Sequence, residues 1–142
     1  MNRLSSAGED RSEFALSYNR RLIAYLHRYD LDITLHICGD TSLTVDLIPE
    51  TGADLFSFDQ LNVNSAISAI GDSVRLVGNI PPNSLLTSSN ADIENACDDV
   101  LEPGLDNPSG FVFSTGCEVP IGCNSDKLQL MIDLGKKVKY GV

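Results

Sequence analysis

Four short apolar runs, at residues 33–38, 54–59, 74–79 and 111–114, are each followed by a stretch whose apolar residues recur at three- and four-residue steps. Strands that alternate with helices are joined by crossovers, so their sheet is parallel and the fold class is α/β. A helix comes before the first run: Ser12 is a good N-cap, and Phe14, Tyr18, Leu22 and Tyr25 or Leu26 share one side. Arg20, Arg21 and His27 fall between them and read as a solvated face. The pattern is one helix and four strand-helix units. Periodicity alone does not separate an open sheet from a barrel.

Local signals place the boundaries. Asp40 or Thr41 is expected to cap a helix carrying Leu43, Leu47 and Ile48, which Pro49 should end and Gly52 should close. Asn62 or Asn64 opens a short helix through Ile67 and Ile70, closed by Gly71. Asn90 precedes Ile93, Ala96, Cys97, Val100 and Leu101 at helical spacing, which makes Cys97 a core residue. Pro103, Gly104, Asn107, Pro108 and Gly110 predict a loop over residues 103–110. Asn124 caps a last helix through Leu128, Met131, Ile132 and Leu134. Residues 1–10 are polar and read as an irregular lead, and residues 11–142 as one domain.

Composition narrows the partners. Ten basic against twenty acidic residues give a formal charge of −10, the opposite of what phosphate binding needs, so nucleic acid is not expected. No stretch approaches the ~20 apolar residues of a membrane span, and no apolar core of signal-peptide length follows Met1. The cytoplasm is the expected compartment, where Cys38, Cys97, Cys117 and Cys123 stay reduced, and reduced cysteines near a histidine favour metal or thiol chemistry.

The first run ends in chemistry. On a strand, Ile33, Leu35 and Ile37 share one face while Thr34, His36 and Cys38 share the other, so an imidazole and a thiol project together. Nitrogen and sulfur donors two residues apart make half of a zinc site, and Cys117 follows another strand-like run. The competing reading makes His36 a hydrogen-bonded core histidine and Cys38 a small buried hydrophobe. Spacing alone leaves both open.

Taken in order, Leu35-His36-Ile37-Cys38-Gly39-Asp40-Thr41, then Gly52-Ala53-Asp54 with Ser57-Phe58-Asp59, then Gly78-Asn79-Ile80-Pro81-Pro82, then Gly116-Cys117-Glu118-Val119-Pro120 resemble the C-terminal half of the uroporphyrinogen decarboxylase superfamily. The His-x-Cys and later Gly-Cys pair are those of its zinc-dependent corrinoid:thiol methyltransferase branch. The resemblance runs from about Phe14 onward.

It implies the second half of a (β/α)8 barrel, with His36, Cys38, Asp59, Asn79 and Cys117 at the C-terminal strand ends where such barrels work. It implies Zn2+ held by His36, Cys38 and Cys117, and methyl transfer from a corrinoid on a partner protein to a thiol such as coenzyme M. The aspartate Asp59 is then a catalytic candidate, open between fourth ligand, hydrogen-bond partner of His36, substrate contact and turn cap. Asn79 and Glu118 are substrate-binding candidates. Cys123 stands where the family more usually has threonine, as a spare thiol or an occasional ligand.

Two alternatives remain: a metal-free tetrapyrrole decarboxylase of the same superfamily, and a non-catalytic half-barrel acting as a binding or assembly module. Four parallel strands do not close a barrel, and their inner apolar residues Leu55, Val77 and Val112 lack an opposite wall. The missing N-terminal half or a second copy is therefore expected as a partner.

Overall fold

The computed structural model describes residues 15–138. The irregular lead, Ser12 and Phe14 lie outside the described residues. The elements run α1 (Ser17–Leu26), β1 (Thr34–Ile37), α2 (Ile48–Thr51), β2 (Leu55–Phe58), α3 (Val63–Ile70), β3 (Arg75–Ile80), α4 (Ser84–Thr87), α5 (Asn90–Leu105), β4 (Phe111–Thr115) and α6 (Ser125–Lys137). The four strands make one parallel sheet in the order β1-β2-β3-β4, so each strand lies beside its neighbour in sequence. This is the parallel α/β sheet that the alternation predicts, in the strand order of the half-barrel that the resemblance implies.

The two faces of the sheet have different roles. Phe56, Phe58, Leu76 and Ile80 are fully covered by the helices, where Ile93, Cys97 and Leu101 of α5 and Met131 of α6 meet them in one core. Residues of the opposite parity face the other way and are less covered: Leu55 and Val77 are half-buried, and Val112 is 42% exposed.

Where chain direction changes, the cause is local. Asn62 caps α3 by accepting from the amides of Asn64 and Ser65, and Asn124 caps α6 by accepting from that of Asp126. Gly52 closes α2 at φ 81°, in the left-handed region that suits glycine. The cap of α5 is Ser89 rather than Asn90. Its hydroxyl accepts from the Asp92 amide while the Asp92 carboxylate accepts from Ser89, a reciprocal capping box.

Three expectations need correction. Pro49 starts α2 instead of ending a helix, because in the first turn its absent N–H has no intrahelical acceptor to lose. Leu43 therefore sits on an exposed turn. Pro103 lies inside α5, which runs to Leu105: the last turn tightens, with the Asp106 amide donating to the Pro103 carbonyl (3.1 Å) and the Asn107 amide to that of Gly104 (3.2 Å). On α1 the stripe of Tyr18, Leu22 and Tyr25 faces outward. Ile23, 4% exposed, is the residue that packs inward.

Candidate metal centre

The site begins with strand register. His36 on β1 pairs with Ser57 on β2, and side chains at paired positions share a face. Nδ1 of His36 is 2.9 Å from Ser57 Oγ and 3.1 Å from the Ser57 carbonyl oxygen. A carbonyl only accepts, so Nδ1 carries the hydrogen and Nε2 keeps its lone pair. That lone pair points to Cys38, whose Sγ is 3.1 Å from Nε2.

Cys38 stands one residue beyond β1, and Cys117 two beyond β4, at opposite edges of the sheet. Three strand spacings of about 4.8 Å would hold the edges of a flat sheet roughly 14 Å apart. The two sulfurs are nevertheless 3.4 Å apart, so the sheet curls and its edge strands converge at their C-terminal ends. The donor atoms of His36, Cys38 and Cys117 all lie within 4.8 Å of one another.

The loops are held in place by their neighbours. Gly39, at φ 79°, turns the chain out of β1; its amide donates to Asp59 Oδ2 (2.9 Å), and its carbonyl accepts from the Gln60 amide (3.2 Å). Asn79 donates its side-chain amide to the carbonyls of Asp59 (3.0 Å) and Leu61 (2.6 Å), fixing the loop after β2. Gly116 lies so close to this loop that a Cβ there would meet the Asp59 carbonyl at 3.0 Å. Thr115 Oγ1 donates to the Cys117 carbonyl at 2.9 Å. Cys38 and Cys117 are thus both anchored to the Asp59 loop.

The donor set fits a tetrahedral zinc ion. With Zn–S near 2.3 Å and Zn–N near 2.05 Å, tetrahedral angles place sulfurs ~3.8 Å apart and nitrogen ~3.6 Å from sulfur; the two sulfurs at 3.4 Å and Nε2 at 3.1 Å from Cys38 Sγ stand a few tenths closer than that, and the third pair lies within 4.8 Å. Three ligands leave a fourth position for a substrate atom. Without a metal the Cys38 thiol is held above its ordinary pKa, first by its hydrogen bond with Cys117, then by burial and by the nearby charges of Cys117 and Asp59.

The other candidates divide. Asp59 is half-buried; its carboxylate is engaged with Gly39, and the hydrogen-bond partner of His36 is Ser57 instead. Asn79 is 8% exposed, with its amide nitrogen turned to backbone. Glu118 is exposed beside Cys117. Cys123 stands apart, its thiol donating to the Leu85 carbonyl at 3.4 Å. Ser57 is the residue of the site that the sequence alone does not single out. Its place on the polar face of β2 is visible in sequence, but which β1 residue it meets depends on register.

The chain is similar to known proteins along most of its length. The uroporphyrinogen decarboxylase (URO-D) profile matches residues 7–138. A methylcobamide:CoM methyltransferase, MtbA, of Methanosarcina mazei is 27% identical over 135 residues, 94% of this chain and 38% of that protein. A uroporphyrinogen decarboxylase of Thioalkalivibrio sulfidiphilus is 31% identical over 129 residues, 85% of this chain and 35% of that protein. A solved methyltransferase from Methanosarcina mazei superposes with a TM-score of 0.79 at 20% identity, over 92% of this chain and 37% of that one. The chain therefore spans under two fifths of the length of these relatives, and corresponds to their C-terminal half. With a family profile matched along nearly all of its length and a sheet of four parallel strands, the chain belongs to the uroporphyrinogen decarboxylase family.

Proposed function

We propose that this chain supplies the zinc-holding half of an enzyme that moves a methyl group from a methylated corrinoid to a thiol. The observation that carries the reading is the convergence of His36 Nε2, Cys38 Sγ and Cys117 Sγ at the C-terminal end of the sheet, within 4.8 Å of one another. Two of the relatives are named methylcobamide:CoM methyltransferases, and another is a methylated-thiol:coenzyme M methyltransferase. Their names motivate a corrinoid donor, borne by a partner protein, and a coenzyme M-like acceptor.

His36, Cys38 and Cys117 are the proposed ligands. Bound there, zinc would lower the pKa of a coordinated thiol and present it as a thiolate at neutral pH. Ser57 fixes the imidazole so that Nε2 faces the metal position. Asp59 holds the Gly39 turn and through it Cys38, which makes it a positioning residue, while Asn79 braces the Asp59 loop. Glu118, exposed at the same strand end, is the side chain left free to meet the thiol substrate or the corrinoid carrier.

A second reading has its own observation, the 31% identity to a protein named uroporphyrinogen decarboxylase. Metal content separates the two. Protein purified with zinc supplied and no chelator is expected to hold one zinc per chain by elemental analysis, and Cys117→Ser to lose it. A metal-free wild type would remove the methyl-transfer reading. With the barrel completed, methylcobalamin and a thiol should show zinc-dependent demethylation by absorbance; none would count against it.

A further inference from the structure

The fold sorts the four cysteines by what their sulfurs touch. Cys97 is 0% exposed, packed in the core. Cys123 is turned to backbone, with the Leu85 carbonyl 3.4 Å and the Asn124 carbonyl 3.6 Å from its sulfur. Cys38 is exposed and Cys117 half-buried, and their sulfurs stand 3.4 Å apart. Among the described residues this is the one contact between two sulfurs.

A disulfide needs its sulfurs about 2.05 Å apart, so closing the pair asks for a further approach of ~1.4 Å. The two loops differ in how easily they supply it. Gly116 packs on the Asp59 loop, and Thr115 Oγ1 donates to the Cys117 carbonyl at 2.9 Å, so Cys117 is held. Cys38 is followed by Gly39, where even an added Cβ would meet nothing within 4 Å. Cys38 therefore has room to move toward a partner that stays in place.

Resting on the reading of these residues as zinc ligands, we propose that the site is under redox control. In the metal-free chain a small hydroperoxide joins Cys38 to Cys117 in a disulfide, and the closed site takes up no zinc until a thiol reopens it.

The step balances with hydrogen peroxide as the oxidant. One sulfur of the pair attacks a peroxide oxygen: an S–O bond forms, the O–O bond breaks, and the leaving hydroxide takes up that thiol's proton as water. The second sulfur then attacks the sulfenic sulfur, so that an S–S bond forms, the S–O bond breaks, and the oxygen leaves with the second proton as another water. Two thiols are oxidised and one peroxide is reduced. Asp40 and Glu118, both exposed, lie next to the pair in sequence, so an uncharged peroxide is favoured over an anionic disulfide as the oxidant.

Two consequences follow for the site and the fold. A zinc ligand must be a thiolate, so the disulfide removes two of the three donors and leaves His36 alone. The bridge also spans 79 residues and ties the loop after β1 to the loop after β4, across the whole sheet. Closing so long a loop should stabilise the oxidised chain against unfolding relative to the reduced, metal-free chain. Two molecules of a thiol reverse the bond through a mixed disulfide and depart as their own disulfide. The methyl acceptor proposed above is itself a thiol, so the substrate that the site serves would also keep it open.

The test uses the full chain, stripped of metal with a chelator and exposed to millimolar hydrogen peroxide. After denaturation, alkylation and digestion, mass spectrometry should find the Cys38 and Cys117 peptides linked and lighter by two hydrogen atoms, with Cys97 and Cys123 alkylated. Zinc uptake, followed against a chromogenic chelator, should be lost on oxidation and restored by dithiothreitol. The urea midpoint of the oxidised chain should lie above that of the reduced, metal-free chain. Zinc supplied before the peroxide should slow formation of the bond, and Cys123→Ser should behave as the parent throughout. A bridge that includes Cys97 or Cys123, separate sulfinic acids in place of a bridge, or full zinc uptake by the oxidised chain would overturn the proposal. A reduced chain that binds zinc yet forms no Cys38–Cys117 bond fails this inference alone. A reduced chain that binds none but closes the bond fails the function proposed above and keeps the disulfide.

Discussion

Ser57 Oγ stands 2.9 Å from Nδ1 of His36, across a parallel strand pair in which the two residues are in register. Groups that orient a ligating histidine typically alter metal affinity by 10–100-fold when removed. Ser57→Ala keeps the Ser57 carbonyl, which still accepts from Nδ1 at 3.1 Å, so the loss should fall near the low end, about tenfold. A zinc titration against a competing chelator measures it. An unchanged affinity would mean that the carbonyl alone orients the ring.

The Gly39 amide and the Asp59 carboxylate make a second test, because they separate charge from geometry. Asp59→Asn removes the charge but keeps an oxygen that accepts from Gly39, whereas Asp59→Ala leaves that amide without its partner. The alanine variant should bind zinc roughly tenfold more weakly, and the asparagine variant should stay near wild type. The opposite order would make Asp59 a ligand rather than a brace.

What the sequence shows of this site follows from which interactions are local. The alternation of His36 and Cys38 with Leu35 and Ile37, the caps at Asn62 and Asn124, and the burial of Cys97 are all set within a few residues, and each is found where local pattern puts it. Ser57 as the partner of His36 is fixed by strand register, and Asn79 as a brace by a contact 18 residues away, so neither has a local signature. The α1 stripe misleads for a different reason. Tyr18, Leu22 and Tyr25 have the periodicity of a buried face, but their covering layer is not within the described residues. Pro49 and Pro103 show that a proline weighs on a helix by position: harmless in a first turn, and tolerated late in α5 where the final turn tightens around Gly104.

At the other end of the strands, Asp54 Oδ2 accepts from the Ile33 amide and contacts His27 Nε2, each at 2.8 Å. The Ile33 amide first and His27 second hold this carboxyl below its ordinary pKa. A carboxyl depressed in the folded state stabilises above the unfolded value of about 4, and that contribution is lost as pH falls through the folded value. Asp54→Asn should cost about 1 kcal/mol near neutral pH, a modest figure because the pair is over a third exposed. It should also flatten the acid limb of the stability profile. Urea midpoints followed from about pH 7 down to about pH 3 would show both. An acid limb as steep as the parent's would assign it to other carboxyls.

Gly104 offers a case in which two known effects oppose each other. Within a helix alanine is favoured over glycine by up to about 1 kcal/mol, and by less in a last turn such as this one, so propensity alone predicts that Gly104→Ala stabilises α5. A Cβ at 104, however, would stand 2.6 Å from Cδ1 and 2.9 Å from Cγ of Phe111, the first residue of β4. That ring is 5% exposed and packed within the core, so it has little room to swing away. Forcing an extra carbon into such a contact costs about 1–3 kcal/mol, which outweighs the propensity gain at most of its range. The expected outcome is a net destabilisation of about 1 kcal/mol by chemical denaturation. Phe111→Leu should be destabilising alone and yet relieve the clash, so the double variant should be more stable than the sum of the two single effects predicts. Additive effects, or a Gly104→Ala variant more stable than the parent, would mean that the helix and β4 are packed less tightly at this point than the contact implies.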